Sequence, residues 1–467
     1  MANDYAPASD EVIAALTAIV GAEGVLRGDE EMRRYSLDEM AIPKPHLPDC
    51  VVRPADTAQV AQVLRLANER GIAVTPRGGG TGVCGGCVPV YGGIVLSLEA
   101  MNRIVEIDAD NFVAVVEPGV VLSDLYRAVE GQGLYYPLYP GELSATIGGN
   151  VATNAGGMRA VKYGVTRNFV VGLQAVLPTG EVIETGGRLA KCSSGYDLTQ
   201  LIVGSEGTLA VVTRIILKLI PPPGRREVLF IPFARLPDAI GAVPDILAHG
   251  ILPVGIEFME RDIIQIVEQY LEREVPFHEH EAFLMIIVEG ADEEAILEQA
   301  QRIEEVCQAN GAIEVFVPGS ERAKRELLEA RERFYPAVRA TGPVETADVV
   351  VPRSAIPQFV ARAKEIAVAH QMTILAFGHA GDGNVHLSLL GRGMEREEWE
   401  RRLPAVFADL YHAGVSLGGA VSGEHGIGLD KKGYLAMTME REKVELMKRI
   451  KRAFDPNHIL NPGKLFE

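Results

Sequence analysis

Two glycine-rich segments in the first half of the chain constrain its fold more than any other feature. The first reads PRGGGTGVCGG at residues 76–86, and the second reads PGELSATIGGNVATNAGG at residues 140–157. Glycine lets the main chain approach a ligand closely and adopt positive φ angles, so the N–H groups of the first loop could wrap a pyrophosphate. The loop lacks the Gly-Lys-Ser/Thr ending of a P-loop, and it leads into a strand rather than opening a helix. A plain connecting loop is the alternative for this segment taken alone.

The second glycine-rich segment suits a different part of a ligand. It combines glycines with other small residues and two asparagines. Such a segment can form a floor under a flat aromatic ring system, because it has few bulky side chains and its main-chain amides can reach the heteroatoms of the ring. Two segments of this kind in one domain therefore indicate a long cofactor with a phosphate part and a ring part.

The spacing of apolar residues predicts the order of the elements and the domain limits. Residues 57–70 have helical periodicity, end at a glycine and lie between two strand-like segments, which predicts a β-α-β unit. The prolines of PPPGR at 221–225 cannot continue a central strand and mark a boundary. Beyond them, strand-like and helix-like segments alternate as in an α+β domain built on an antiparallel sheet. We predict domains at 1–224 and 225–415, with a C-terminal segment, 416–467, that returns to the first domain.

Composition excludes several classes of protein. The chain has 467 residues, enough for two or three domains, and 45 basic against 63 acidic residues give a net charge of -18. This charge disfavours nucleic acid, because no basic surplus exists to neutralise phosphates, but it allows docking on a basic protein partner. Five scattered cysteines suit a reducing cytosol, and we find neither a secretory signal nor a run of about 20 apolar residues. We therefore expect a soluble, cytoplasmic protein.

Three segments together resemble a known family. The two glycine-rich segments, the second preceded by YPLY, and GSEGTLAVVT at 204–213 resemble the FAD-binding domain of the vanillyl-alcohol oxidase type. The resemblance is strongest to the FAD-linked D-2-hydroxy-acid dehydrogenases, which include the glycolate oxidase flavin subunit, D-lactate dehydrogenases and D-2-hydroxyglutarate dehydrogenase. It extends from about residue 45 to the C-terminus. It implies an α+β fold with a two-part FAD-binding domain and an α+β cap domain built on an antiparallel sheet.

The resemblance also implies where FAD binds. The first glycine-rich loop would cradle the pyrophosphate, the second segment would line the isoalloxazine and ribityl side, and Glu206 would lie near the adenine half. Some relatives attach FAD through a histidine in the first loop, but Thr81 matches that position here, so we expect non-covalent FAD. Asn461 either reaches the flavin or caps the last turn. The expected FAD-binding residues are Arg77, Gly78, Gly79, Gly80, Thr81, Gly82, Gly85, Gly86, Pro140, Gly141, Ser144, Ala145, Thr146, Gly148, Gly149, Asn150, Ala152, Ala155, Gly156, Gly157, Glu206, Gly207 and Asn461.

Two histidines flank a tight turn in the second domain. The segment TILAFGHAGDGNVHLSLL predicts strand, turn and strand, and antiparallel pairing would bring His379 and His386 side by side. Two imidazoles and one carboxylate form a metal set with open positions, although such a histidine pair taken alone is more often a pair of surface residues. GHAGDGNVH and SGEHGIG resemble the family's signatures. The resemblance implies that His379, His386 and Glu424 bind a divalent ion such as Zn²⁺, Fe²⁺ or Mn²⁺, and that His425 is the active-site base.

The chemistry implied by this resemblance is the oxidation of a 2-hydroxy acid. The carboxylate and hydroxyl of the substrate can chelate one metal, which lowers the pKa of the hydroxyl. A histidine then removes the proton, hydride passes to flavin N5, and the 2-oxo acid leaves. Arg331 matches the family's arginine for the substrate carboxylate, and an arginine fork can bind a carboxylate with two hydrogen bonds. A solvated helix face of mixed charges is the alternative for the arginines of this segment.

Two positions bear on the substrate, and the electron acceptor stays open. The relative that oxidises D-2-hydroxyglutarate has a lysine and an asparagine where this chain has Thr346 and Ser388, so we favour D-lactate or glycolate.

Cys84 and Cys87 form CGGC, which we interpret as small residues in a tight loop rather than a redox pair. Without a cysteine cluster motif, reduced FAD would pass electrons to an electron-transferring flavoprotein, an iron–sulfur subunit, a cytochrome or a quinone. An O₂-using oxidase, a D-2-hydroxyglutarate dehydrogenase and a non-catalytic flavin subunit are the alternatives.

Overall fold

The β-α-β unit that the apolar spacing predicts is present near the start of the chain. Strand Cys50–Val52 is followed by helix Thr57–Arg70 and by strand Val74–Arg77. The Asp56 carboxylate caps the first turn of the helix, and Gly71 ends the helix in the left-handed conformation. Pro76 and Arg77, the first two residues of the first glycine-rich segment, end the second strand, and the glycines follow directly.

The computed structural model describes residues 5–40 and 45–466, and internal contacts divide the chain into two units. The first unit takes in the chain up to Ala155, Val165–Pro222 and the residues from His425 onward. The second unit takes in Gly156–Gly164 and Pro223–Glu424. The domain limits expected from the sequence stay predictions, because contacts alone do not test which parts fold independently.

The first unit contains two sheets. In the four-stranded sheet the order is β1-β2-β4-β3, and both β2 and β3 run parallel to β4. The five-stranded sheet is antiparallel throughout, in the order β5-β6-β9-β7-β8. The strands are β1 (Val25–Leu26), β2 (Cys50–Val52), β3 (Val74–Arg77), β4 (Ile94–Ser97), β5 (Ile104–Asp108), β6 (Val113–Val116), β7 (Val170–Val176), β8 (Val182–Gly186) and β9 (Val211–Lys218).

The helices divide between the two units. Those of the first unit are α1 (Asp10–Val20), α2 (Asp29–Met32), α3 (Thr57–Arg70), α4 (Leu122–Glu130), α5 (Ile147–Thr153), α7 (Leu198–Ile202), α15 (Leu435–Thr438) and α16 (Arg441–Phe454). Those of the second unit are α6 (Ala160–Tyr163), α8 (Leu236–Ala248), α9 (Arg261–Leu271), α10 (Glu293–Ala309), α11 (Glu321–Glu332), α12 (Phe334–Ala340), α13 (Ile356–Ala369) and α14 (Arg396–Ser416). Across the described ranges 5–40 and 45–466, none of the helices is both long enough and apolar enough to cross a membrane.

The second unit is built on one six-stranded antiparallel sheet, as the sequence predicts. Its order is β10-β12-β11-β14-β15-β13. The strands are β10 (Arg225–Phe233), β11 (Gly255–Glu260), β12 (Ala282–Gly290), β13 (Val344–Val350), β14 (Thr373–His379) and β15 (Asn384–Leu390).

One face of this sheet carries both an apolar core and a polar row, which consists of Glu257, His379, His386, Ser388 and Thr346. Phe230 and Phe283 stack at 5.1 Å on the apolar part of the face, where helices α9, α11 and α12 cover it. Phe377 belongs to the same core. It is paired across the sheet with His386, whose imidazole lies 5.5 Å from its ring. The apolar core therefore borders the polar row directly.

Candidate active site

In the first unit, the two glycine-rich segments lie against each other. The Thr146 hydroxyl caps helix α5 and accepts hydrogen bonds from the N–H groups of Gly79 (3.0 Å) and Gly149 (3.4 Å). A Cβ on Gly78 would lie 2.5 Å from that same hydroxyl. The close approach requires glycine there, because any side chain would displace the cap. The structure therefore joins the two segments into one surface of main-chain groups and small residues.

The Arg77 side chain holds the neighbouring chain in place rather than pointing along this surface. Its guanidinium donates to the carbonyls of Leu37 (2.7 Å) and Arg34 (2.9 Å) and to the Cys87 thiol (3.1 Å). Gly80 has a φ of +76°, and a side chain there would overlap the guanidinium. The contribution of this loop to a phosphate site therefore rests on its main chain. Both cysteines of CGGC are free thiols, and burial raises the pKa of Cys87.

Glu206 and Asn461 join three distant segments of the first unit. The Glu206 carboxylate accepts hydrogen bonds from the N–H groups of Ile427 (2.8 Å) and Gly428 (2.7 Å), and burial raises its pKa. The Asn461 side-chain amide donates to the carbonyls of Gly86 (2.9 Å) and Glu206 (2.8 Å). Both side chains thus form hydrogen bonds with main-chain groups of other segments. The expected contact of Glu206 with the adenine half of FAD stays a prediction.

Two buried polar atoms of this surface fit a bound cofactor. The Asn150 side-chain nitrogen and the Asn461 side-chain oxygen have no hydrogen-bond partner among the residues that the structure describes. Buried polar groups are almost always hydrogen-bonded, so a donor and an acceptor of a ligand would complete them. With small residues, main-chain groups and these two unpaired atoms, the surface suits a long cofactor such as FAD.

Six more of the expected FAD residues fall in three places. Ala152 accepts the Glu206 N–H through its carbonyl at 2.7 Å, so helix α5 and the loop of Glu206 are joined. Pro140, Gly141 and Ser144 lie on a loop where Gly141 and Ser144 are exposed. Gly156 and Gly157 belong to the second unit, and the sequence contains no signal for that division.

In the second unit, the predicted hairpin brings the metal candidates together. His379 ends β14 and pairs with Asn384, while His386 in β15 pairs with Phe377, so the two histidines are diagonal neighbours on one face. Their Nε2 atoms lie 3.4 Å apart. The Glu424 carboxylate lies 3.6 Å from Nε2 of His379 and 3.4 Å from Nε2 of His386.

These distances fit a divalent cation. Donor atoms about 2.0–2.1 Å from a tetrahedral Zn²⁺ lie about 3.4 Å from one another, which matches the triangle formed by His379, His386 and Glu424. Two imidazoles and one carboxylate also leave further coordination positions open. His425 directly follows Glu424 in the chain and begins the last segment of the first unit.

Glu257 and Asp348 support this triangle, and neither was singled out from the sequence. Oε1 of Glu257 lies 2.6 Å from Nδ1 of His379. Oδ2 of Asp348 accepts from the Ser422 hydroxyl (3.0 Å) and from the N–H groups of Gly423 (3.0 Å) and Glu424 (3.1 Å). Both carboxylates are fully buried. An acidic residue inside a buried apolar strand, as in GIEFME, is the signal that could have revealed Glu257.

The positive groups around Glu257 counteract the effect of burial on the pKa of its carboxyl. Burial alone raises the pKa of this carboxyl, but His379 and Arg331 outweigh it and lower the pKa to about 2. Burial likewise lowers the pKa of His379, and the carboxylates of Glu257 and Glu424 outweigh it, so the pKa lies well above its ordinary value. His379 and Arg331 therefore hold the Glu257 carboxylate ionised.

Arg331 reaches the same place from helix α11. Its Nε and Nη2 lie 2.8 Å and 2.5 Å from Oε2 of Glu257. The guanidinium carbon lies 5.2 Å and 5.3 Å from the ring centres of Phe334 and Phe377. The contact with Glu257 uses one edge of the guanidinium. The other edge, which Nη1 and Nη2 form, has the geometry to bind a carboxylate.

Two hydroxyls continue the polar row beyond the histidines. Thr346 and Ser388 are paired across strands β13 and β15, and Ser388 lies two residues after His386 on the same face. Within the described parts of the chain, both hydroxyl oxygens are buried and form no hydrogen bond. The row thus ends in two polar groups without charge.

Comparison with family models places the chain in a family. Residues 48–186 match the FAD binding domain, and residues 222–465 match the C-terminal domain of FAD linked oxidases. The fold and the first-unit surface are those of a flavoprotein oxidoreductase. The chain belongs to the FAD-linked oxidase family, and the expected FAD cofactor is confirmed at the level of the family.

Relatives and a solved structure agree with this membership. An FAD-linked oxidoreductase of Mycobacterium tuberculosis is 44% identical over 98% of this chain and 99% of its own length. The D-lactate dehydrogenase of Anaerostipes hadrus is 42% identical over 96% and 95%, and the glycolate oxidase subunit GlcD of Bacillus subtilis is 40% identical over 90% and 89%. p-Cresol methylhydroxylase matches with a TM-score of 0.82 at 18% identity over 98% of this chain and 96% of its own. The predicted vanillyl-alcohol oxidase-type fold is confirmed.

Proposed function

We propose that this protein oxidises a small D-2-hydroxy acid, D-lactate or glycolate, to the corresponding 2-oxo acid. The observation that carries the proposal is the triangle of His379, His386 and Glu424, whose donor atoms lie 3.4–3.6 Å apart. In the same unit, Arg331 offers a guanidinium edge for a carboxylate. The relatives named D-lactate dehydrogenase and glycolate oxidase subunit support the substrate class.

The proposal gives the triangle the task of binding a divalent cation. Two imidazoles and a carboxylate suit Zn²⁺, Fe²⁺ or Mn²⁺. When bound, the cation would lower the pKa of the substrate hydroxyl, and FAD would accept the hydrogen and electrons of the α-carbon. Glu257 orients His379 through Nδ1, so that Nε2 faces the other two donors. Asp348 holds the main chain that carries Glu424.

Two further side chains complete the proposed reaction. Arg331 binds the substrate carboxylate through its Nη1–Nη2 edge, which orients the α-carbon. His425 accepts the hydroxyl proton, because imidazole is the side chain whose ordinary pKa lies closest to neutral. We assign this step to His425 from its place directly after Glu424 and from the family resemblance.

The end of the polar row supports a substrate with one carboxylate. Thr346 and Ser388 present hydroxyls, whereas a second carboxylate would need a positive charge to offset the loss of its hydration. A methyl or a hydrogen on the α-carbon makes no such demand. The proposal therefore prefers lactate and glycolate to a dicarboxylate such as D-2-hydroxyglutarate.

Electrons would leave reduced FAD for a separate acceptor. The name of the Bacillus subtilis relative describes it as a subunit, which supports an acceptor protein such as an electron-transferring flavoprotein or an iron–sulfur subunit. An oxidase that uses O₂ is the second candidate. Slow reoxidation of substrate-reduced flavin in air would support the acceptor protein, and reoxidation within seconds would support the oxidase.

Anaerobic bleaching of the flavin tests the proposal. D-lactate, L-lactate, glycolate and D-2-hydroxyglutarate are added in turn to the purified holoprotein, with and without a chelator. Rapid bleaching by D-lactate or glycolate, abolished by the chelator and restored by metal, is the expected result. Absence of bleaching by all four acids, with FAD and metal present, would instead favour an unusual substrate or a non-catalytic flavin subunit.

A matched pair of variants tests the metal triangle. His386→Ala should retain the flavin absorbance and lose substrate-dependent bleaching, because one of the three donors is missing. His370→Ala is the control, since His370 lies outside the triangle and pairs with Asp409 at 2.7 Å. Normal bleaching by His386→Ala would refute the role of the triangle. Arg331→Ala should raise KM more than it lowers kcat, and an unchanged KM would assign the carboxylate contact to another residue.

A further inference from the structure

One buried carboxylate joins the metal triangle to the arginine. Glu257 in β11 is fully buried, and its two oxygens have different partners. Oε1 lies 2.6 Å from Nδ1 of His379. Oε2 lies 2.8 Å from Nε and 2.5 Å from Nη2 of Arg331. His379 and Arg331 lie on different elements, so this carboxylate is the direct link between them.

An ionised carboxylate is the group that this position requires. It accepts hydrogen bonds at both oxygens and donates none. A histidine binds a cation in its neutral form, and in that form the proton of His379 is held on Nδ1, so the lone pair of Nε2 faces His386 and Glu424. On the other side, the carboxylate takes one edge of the Arg331 guanidinium and leaves the second edge for another anion.

We propose that Glu257 is a positioning residue that determines both the affinity of the cation site and the recognition of the substrate carboxylate. The inference rests on the proposed function and extends it, because it assigns two effects to one residue that touches neither cation nor substrate. Both effects follow from the two contacts of a single side chain. Loss of Glu257 should therefore weaken cation binding and raise KM together.

Glutamine is the informative replacement, because it has the same size but only one acceptor oxygen. If that oxygen faces Arg331, the amide NH₂ faces Nδ1 of His379 and favours the tautomer whose proton lies on Nε2, which cannot bind a cation. If the oxygen faces His379, the NH₂ opposes the guanidinium. Aspartate is shorter but keeps two acceptors. A role in positioning predicts that Glu257→Asp is milder than Glu257→Gln, whereas a role in packing alone predicts the reverse order.

Zn²⁺ affinity of the metal-stripped holoprotein, measured by competition with a chromogenic chelator, is the first readout. We expect Glu257→Gln to bind Zn²⁺ about 10–100-fold more weakly than the wild type, with Glu257→Asp between them. Glu260→Gln is the control, since Glu260 is a buried glutamate of the same strand that pairs with Lys364 at 2.5 Å. The second readout is the KM for the acid that bleaches the flavin, which should rise in Glu257→Gln and not in the control.

The outcomes separate this inference from the proposed function. If the wild type binds no Zn²⁺ and its bleaching is insensitive to chelator, the proposed metal site is wrong. If the wild type binds Zn²⁺ and Glu257→Gln matches Glu260→Gln in affinity and KM, the inference is wrong and the proposed function stands. Should Glu257→Gln fail to fold, Glu257→Asp decides alone: wild-type affinity and KM in a folded Glu257→Asp would overturn the inference.

Discussion

Replacing Lys451 by methionine should destabilise the first unit strongly, although Lys451 touches neither expected site. Its ammonium is fully buried in helix α16 and lies 2.5 Å from Oδ2 of Asp455, which is also fully buried. It also donates to the carbonyls of Thr208 (2.8 Å) and Leu460 (2.7 Å). The ammonium thus uses all three of its donors, and it joins the C-terminal segment to the loop after Glu206.

The magnitude follows from what the substitution leaves behind. Asp455 would keep its hydrogen bonds from the N–H groups of Ile459 (3.2 Å) and Leu460 (2.9 Å) but would lose its counter-charge. Breaking a buried ion pair by removing one partner costs about 3–5 kcal/mol. Methionine fills most of the lysine volume, so the loss reports the charge rather than a cavity.

The matched control lies in the same helix. Lys448 pairs with Glu445 at 3.3 Å, and their side chains are 38% and 49% exposed. An exposed pair of this kind contributes about 0–1 kcal/mol, so Lys448→Met should change little. Urea unfolding of both holoprotein variants, followed by the fluorescence of released flavin, measures the difference. Equal midpoints for the two variants would refute the reasoning, because they would mean that the buried pair contributes no more than the exposed one.

Three further outcomes follow from the first unit. Gly78→Ala should weaken flavin retention with little loss of secondary structure, because its Cβ would displace the Thr146 hydroxyl; the flavin-to-protein absorbance ratio after dialysis measures this. Burial raises the pKa of Asp38 from 3.8 to about 6, so the folded state binds the proton of this carboxyl more tightly than the unfolded state does. The resulting stabilisation is fully present below pH 3.8 and is lost as the pH rises through about 6. Relative to Asp38→Asn, the wild type should lose about 3 kcal/mol over that range in pH-dependent urea unfolding, and a constant difference would contradict this. Iodoacetamide on the native protein should label the exposed Cys192 first, since burial raises the pKa of Cys50 to about 12; peptide mass mapping would detect any other order.

Local physics made some elements predictable. The apolar spacing around helix α3 and its terminal Gly71 were sufficient for the β-α-β unit, because helix formation and termination depend on neighbours a few residues away. The hairpin of His379 and His386 was predictable for the same reason, since alternation and a glycine turn specify a local antiparallel pair. Their diagonal arrangement was not, because the register depends on the whole sheet.

The supporting carboxylates could not be predicted from pattern. Glu257 lies 122 positions before His379 in the chain, and Asp348 lies 76 positions before Glu424. Nothing in either segment announces its partner, because pairing of strands that are distant in sequence depends on the complete order of the sheet. The assignment of Gly156–Gly164 to the second unit could not be predicted from the sequence either. It depends on contacts such as Lys162 with Glu289 at 2.8 Å.

The class of this protein followed from its sequence motifs. The two glycine-rich segments indicated a long cofactor with a phosphate part and a ring part, and their resemblance, together with GSEGTLAVVT, to a known family implied the FAD-binding fold. The pairing of the buried charges, in contrast, depended on the folded chain. The fold brought Arg331 and His379 to one buried carboxylate and placed the hydroxyls of Thr346 and Ser388 at the end of the polar row. The physical reason is that burial makes each charge depend on partners nearby in space, and the fold alone brings those partners together.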